Sequence, residues 1–198
     1  MGGMTNPIAD GSSGGTLILG IGNILWADEG FGVRVVEEIH RRYLLPDDVT
    51  LMDGGTQGLY LVQHVKAARR LLVFDAVDFG QVPGTLALVR DEDVPSFFGC
   101  RKLSLHQTGF QDVLAAAALL GGGPESLVLI GVQAETLDDW GGSLRPMIRA
   151  QIDPAISMGL DVLQQWGVVL TKRPVPLADD QMLLGHGTDL SGYERSAP

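Results

Sequence analysis

The 198-residue chain carries 24 acidic against 14 basic side chains, a formal net charge of -10, and a single cysteine, Cys100. Its length suits one well-buried domain, and 45% hydrophobic with 19% charged residues excludes intrinsic disorder as the main state. The acidic balance excludes a protein built to neutralise nucleic-acid phosphates, and a lone cysteine excludes an internal disulfide or an all-thiolate metal cage.

Residues 1–15, MGGMTNPIADGSSGG, are glycine-rich and lack the basic start and apolar middle of a signal peptide, so a flexible N-terminal arm is expected. Leu17 to Ile21 is an apolar run broken by one glycine, as in a strand buried on both faces. Helical spacing follows at Val33, Val36, Ile39 and Tyr43, ending near Pro46. Val49 to Met52 reads as a second strand, and Leu59, Val62 and Val65 mark a second helix. Leu71 to Phe74 is the third strand, and Pro83-Gly84 turns the chain into a fourth, Thr85 to Val89. A third helix is expected at about Phe110 to Leu120, then a strand from Leu127 to Val132. Ile152, Ile156, Leu160, Leu163 and Trp166 supply the face of a last helix. From Thr171 the periodicity fades and Pro, Gly and Asp accumulate. One domain over residues 16–169, followed by a flexible tail over 170–198, is therefore expected.

This order predicts an α/β three-layer sandwich: a mostly parallel, twisted five-stranded sheet with one antiparallel strand and helices on both faces. The strand after Pro83-Gly84 is the expected antiparallel member. No apolar stretch approaches the roughly 20 residues needed to span a bilayer, so no membrane insertion and a cytoplasmic location are expected.

Several short motifs fail on context. Gly20-Ile21-Gly22-Asn23 follows a strand, but the dinucleotide fingerprint needs a glycine where Leu25 stands, and the loop goes on to Asp28 and Glu29, which repel phosphate. A formal G-x-S-x-G at Gly11 to Gly15 precedes the first strand, so it is no nucleophile elbow. Neither a Walker A pattern nor His-Glu-x-x-His occurs.

Ligands of such a sheet bind beyond the carboxyl ends of the strands. Asp28 and Glu29 fall in the loop after the first strand, Asp53 begins DGGTQG after the second, and Asp75 and Asp78 sit at the end of the third. His106 lies just before the third helix. Asp28, Asp53 and Asp78 also suit helix caps or turns, whereas Glu29 is a poor N-cap. Carboxylates converging on one edge repel one another unless a cation or proton offsets them. One Glu, one Asp and one His from separate loops make an O, O, N donor set suited to a borderline divalent metal such as zinc or nickel. His40 and His64 read as solvent-facing and His186 as part of the tail.

The blocks GIGNILWADEGFGVRVVEEI, LMDGGTQG, LLVFDAVDFG, PGTLALVRDEDVP, LSLHQTGFQDVL and LVLIGVQAETL, in order over about Thr16 to Gly167, resemble the hydrogenase maturation endopeptidase family. Its members remove a C-terminal peptide from the large subunit of nickel-iron hydrogenase. The resemblance implies the same twisted mixed sheet and carries the family's metal-binding residues onto Glu29, Asp75 and His106. It also places Asp53, Gly54, Gly55 and Thr56 near the substrate cleft, and sets Trp26 where apolar residues are usual, as loop packing. The implied partner is the precursor of the large subunit. The implied metal is nickel carried by that substrate in its cysteine-held site, with zinc or cadmium able to substitute in crystals.

On this expectation Glu29, Asp75 and His106 complete or sense the coordination of the nickel. The metal polarises the scissile carbonyl and acidifies a water, or a carboxylate acts as general base. A carboxylate pair working as an aspartic protease, with Asp53 or Asp28, is a third option. The rivals from other classes are a nickel-binding chaperone of hydrogenase assembly without protease activity, and a nucleotide-binding regulator using Gly20 to Gly22.

Overall fold

In β1 (Thr16–Ile21) alternate side chains enter opposite sides of a sheet. Leu17, Leu19 and Ile21 join one buried cluster and Ile18 the other, as a period-two strand covered on both faces requires. The computed structural model describes residues 14–55, 58–95, 105–178 and 181–183, with 105–108 described as helical backbone alone. Its further strands are β2 (Tyr43–Leu44), β3 (Val49–Gly55), β4 (Arg70–Val77), β5 (Leu86–Arg90), β6 (Ser126–Gln133) and β7 (Thr171–Lys172). The helices are α1 (Phe31–Arg42), α2 (Val62–Ala67), α3 (Leu105–Leu119), α4 (Pro146–Arg149) and α5 (Ile152–Gln165), with short 3-10 turns at Ala27–Gly30 and Gly58–Leu61.

The main sheet has the order β3-β1-β4-β6-β5. All its neighbours are parallel except β5 against β6, so the expected sheet with one antiparallel strand is present. The chain steps from β1 outward to β3, then back past β1 to β4. Right-handed crossovers in opposite directions put α1 on one face and α2 on the other. On the α1 face, Phe31, Val35, Val36 and Ile39 pack with Ile152, Ile156 and Leu163 of α5 over Leu72, Phe74 and Ile130. On the opposite face, Val62 and Val65 of α2 and Phe110, Val113 and Ala117 of α3 cover Leu19, Leu71, Val73 and Leu129. The reversal of direction opens a crevice between the carboxyl ends of β1 and β4, the place where such sheets bind ligands.

Tyr43, read as helical, instead lies in β2 after α1 ends at Arg42, and among the boundaries that differ from the sequence reading three bear on the site. α3 starts at Leu105, so His106 lies inside its first turn and not ahead of it; the polar LHQTG segment hides the apolar spacing there. β3 continues to Gly55, so Asp53 is a strand residue paired with Gly20 and not the start of a loop. β4 likewise continues through Asp75 to Val77. Within the expected tail the described residues 171–177 are docked, the rest from 184 on lying outside the described residues: β7 pairs antiparallel with β2, and Arg173 N and Leu177 N donate to Arg42 O and Arg41 O. His40, expected to face solvent, has Nε2 3.2 Å from Gln181 O. These residues carry no periodicity of their own because their partners are backbone groups at the end of α1. Among the described residues no helix is long and apolar enough to cross a membrane.

A β-carbon added at Gly32, in the first turn of α1, would lie 2.1 Å from Phe74 O and 2.4 Å from Ile21 O. Both neighbours are main chain in the central strands and have no rotamer to change. Gly32→Ala should therefore lower unfolding stability by about 3 kcal/mol, the upper end of ordinary overpacking costs. Urea titration checks this, and a loss below about 1 kcal/mol would show that α1 can lift from the sheet without penalty.

Candidate active site

The loop from Gly22 to Gly30 delivers the first acidic residues to the crevice. Gly22 has φ +136, and a β-carbon there would lie 1.8 Å from Glu29 O, so only glycine lets the loop fold back on itself. Asn23 organises the turn: its Oδ1 accepts from Leu25 N at 3.1 Å and its O from Trp26 N at 3.0 Å. Glu29 N then donates to Trp26 O at 2.8 Å, closing the 3-10 turn. That turn packs against β4. Glu29 is 6% exposed.

Asp75 is fully buried on β4, in register with Gly131 of β6, and its Oδ1 accepts from Ala76 N at 2.8 Å. Strand alternation sets it on the face of Leu71 and Val73, the face covered by α2 and α3. Because α3 leads through residues 120–125 into the start of β6, it runs against the parallel strands, and its first turn, with His106, lies at their carboxyl edge. The side chain of His106 lies outside the described residues, as does Thr56 of the expected cleft. Among the described residues no three His, Cys, Asp or Glu side chains form a metal-binding group.

The remaining carboxylates separate by environment. Asp28 is fully buried; its Oδ1 accepts from Arg145 N at 3.0 Å, and its Oδ2 accepts from Arg145 Nη1 at 3.1 Å and Glu135 N at 3.2 Å. This is a structural ion pair, which gives Asp28 a role other than a cap of its own helix. Asp78 is exposed and makes a turn, accepting from Gly80 N at 2.9 Å and from Gln133 Nε2 at 3.2 Å. Asp53 is half-buried, and its Oδ1 accepts from Gly55 N at 2.8 Å. Burial pushes its pKa above the usual carboxylate value, against the smaller opposing effects of that hydrogen bond and of the Arg34 charge. Gly54 is buried, and Gly55, at φ +45, accepts from Gly22 N at 3.3 Å, tying the end of β3 to the end of β1.

Two polar residues of the site region escape sequence reasoning. Gln133, at the end of β6, accepts from Phe79 N at 2.6 Å and Gln81 N at 3.1 Å and donates to Ala134 O at 3.0 Å, bracing the loop after β4. Arg145 binds Asp28, Glu135 and Asp139 at once. Neither belongs to a local pattern; only a buried Asp lacking a local basic partner hints at a distant guanidinium. Trp26, expected as loop packing, meets Trp140 edge-to-face, with ring centroids 5.4 Å apart and planes at 89°.

Residues 33–162 match the family model described as hydrogenase maturation protease. The chain is 60% identical over 178 residues to the hydrogenase expression/formation protein HupD of Bradyrhizobium diazoefficiens, covering 90% of this chain and 93% of the relative. It is 44% identical over 158 residues to the hydrogenase 2 maturation protease of Escherichia coli, covering 79% and 95%. The structure matches that of the hydrogenase maturating endopeptidase HybD from Escherichia coli with a TM-score of 0.75 at 41% identity, covering 80% of this chain and 98% of that one. These likenesses favour a protease over a chaperone without protease activity.

The upward shift at Asp53 fixes the sign of a pH effect. A carboxyl whose folded pKa is raised contributes stability below its unfolded pKa, and that contribution is lost as pH rises through the folded pKa. Asp53→Asn keeps a neutral side chain throughout, so it should melt higher than the parent at neutral pH and approach it below the usual carboxylate range. Thermal melts across that range check this; a variant less stable at neutral pH and equal in acid would reverse the sign.

Proposed function

This chain belongs to the hydrogenase maturation protease family, and we propose that it cleaves a C-terminal peptide from the nickel-loaded precursor of a nickel-iron hydrogenase large subunit. The observation that carries the reading is the withdrawal of two carboxylates from water at the switch point of the sheet. Glu29 stands on a turn pressed against β4, and Asp75 stands within β4. The first turn of α3, which bears His106, lies at the same edge. Two oxygen donors and an imidazole suit nickel or zinc, and a site lined with carboxylates favours a cation.

In this proposal the nickel belongs to the substrate, held there by cysteines. Glu29, Asp75 and His106 add harder ligands to it, so a precursor without nickel does not seat its scissile bond correctly. The seated metal withdraws electrons from the scissile carbonyl and from an attacking water. Glu29 or Asp75, when not engaged by the metal, accepts the proton of that water. Asp53, with Gly54, Gly55 and Thr56, borders the path of the extended peptide. The single cysteine accords with this division of ligands and with a cytoplasmic location.

The test is cleavage of purified precursor, followed by mass spectrometry of the large subunit. His106→Ala and Asp75→Asn should remain folded and lower kcat/KM by at least about 100-fold, the scale on which a positioned general acid or base contributes. Nickel-free precursor should remain uncut by the parent enzyme. Cutting of nickel-free and nickel-loaded precursor at equal rates would remove nickel sensing from the reading.

A further inference from the structure

Asp28 adjoins Glu29, but its side-chain partners come from the far side of the crevice. Its carboxylate takes both the backbone N–H and the guanidinium of Arg145, together with Glu135 N. Arg145 then spreads its other nitrogens to Glu135 at 2.9 Å and Asp139 at 2.6 Å. One guanidinium therefore serves three carboxylates, an arrangement that needs the fixed planar fork of arginine. A second attachment runs alongside: Gly141 N donates to Leu25 O at 2.8 Å, Trp26 and Gly141 form a parallel bridge, and Trp140 stacks edge-on against Trp26. The loop that bears Glu29 and the segment after β6 are thereby joined at two places.

The 3-10 turn needs this support. It is four residues long, it has no side-chain cap, and it begins at Ala27, a non-glycine residue with φ 29 in the left-handed region. A short turn in such a conformation persists only where its surroundings over-determine it. We propose that Arg145, acting through Asp28, is a positioning residue that fixes the Glu29 carboxylate against β4 for the cleavage step. The inference rests on the role given to Glu29 above.

The experiment compares full-length parent, Arg145→Ala and Arg145→Lys, each in a Trp166→Phe background, so that Trp26 and Trp140 are the two remaining tryptophans. Near-ultraviolet circular dichroism reports the tryptophan pair, far-ultraviolet dichroism the fold, and nickel-loaded precursor supplies kcat and KM. Arg145→Ala should keep its far-ultraviolet spectrum, lose most of the near-ultraviolet signal, and show kcat reduced by about 10-fold or more with KM within about 2-fold. Guanidinium ion below denaturing concentration should restore part of kcat to Arg145→Ala and none to the parent. Should Arg145→Ala fail to fold, Arg145→Lys gives the reading, with an intermediate kcat, because a lysine meets one carboxylate at a time. An unchanged kcat in the folded variant overturns the proposal. So does a rise in KM alone, which would make the segment a binding surface, or a loss that follows the folded fraction and resists guanidinium. An inactive parent overturns the Glu29 reading itself and is seen before any variant is compared.

Discussion

The first turn of α1 rests directly on the main chain of the two central strands, with Gly32 facing Phe74 O and Ile21 O at distances no β-carbon tolerates. A β-carbon at Gly20, on the strand beneath, would lie 2.4 Å from Gly32 O, so the approach depends on glycine from both sides. This contact brings the start of α1, and with it the 3-10 turn of Glu29, down onto β4, where Asp75 lies. A helix held at the usual side-chain distance would leave that turn above the sheet edge. The burial of Glu29 on that turn depends on this approach, whereas Asp75 is covered from the opposite face of the sheet.

The acidic excess of the chain divides into different physical situations along that edge. Asp28 is matched by a guanidinium and two backbone N–H groups, which is how a buried charge is normally tolerated. Asp78 shapes a turn in water. Asp53 is held where burial raises its pKa, a local cost to folding at neutral pH. Glu29 and Asp75 are buried at the switch point of the sheet, where the fold places ligands. Perturbed and buried acids gather at sites that do chemistry, because ordinary surface placement would serve folding better. That pattern accords with a protease whose substrate brings a cation.

Much of this architecture is legible in the chain itself. The alternation of Leu17 to Ile21, Leu71 to Phe74 and Leu127 to Val132 with the helical spacings at Val33 and Ile152 carries the succession of strands and helices of an α/β sheet, because burial on both faces leaves apolar runs that little else explains. Glu29 and Asp75 stand out as acids at strand ends. What escapes the sequence is what depends on distant partners. β6 enters between β4 and β5, although β5 follows β4 in the chain. β7 exists only through its pairing with β2. The role of Asp28 cannot be read without Arg145, 117 residues away. The glycines after Asp53 mimic a turn in the sequence, whereas they extend the strand to a close approach with β1.

In the proposed mechanism Glu29, Asp75 and His106 form one metal-seeking set at the carboxyl edge of the sheet. A crystal of the full chain grown with a nickel, zinc or cadmium salt, with anomalous data collected at the edge of the metal, tests it most directly. One strong anomalous peak is expected within about 2.0–2.3 Å of donor atoms from all three residues. Anomalous peaks confined to other groups, such as the Asp91 and Glu92 region or surface histidines, with none joining these three, would contradict it.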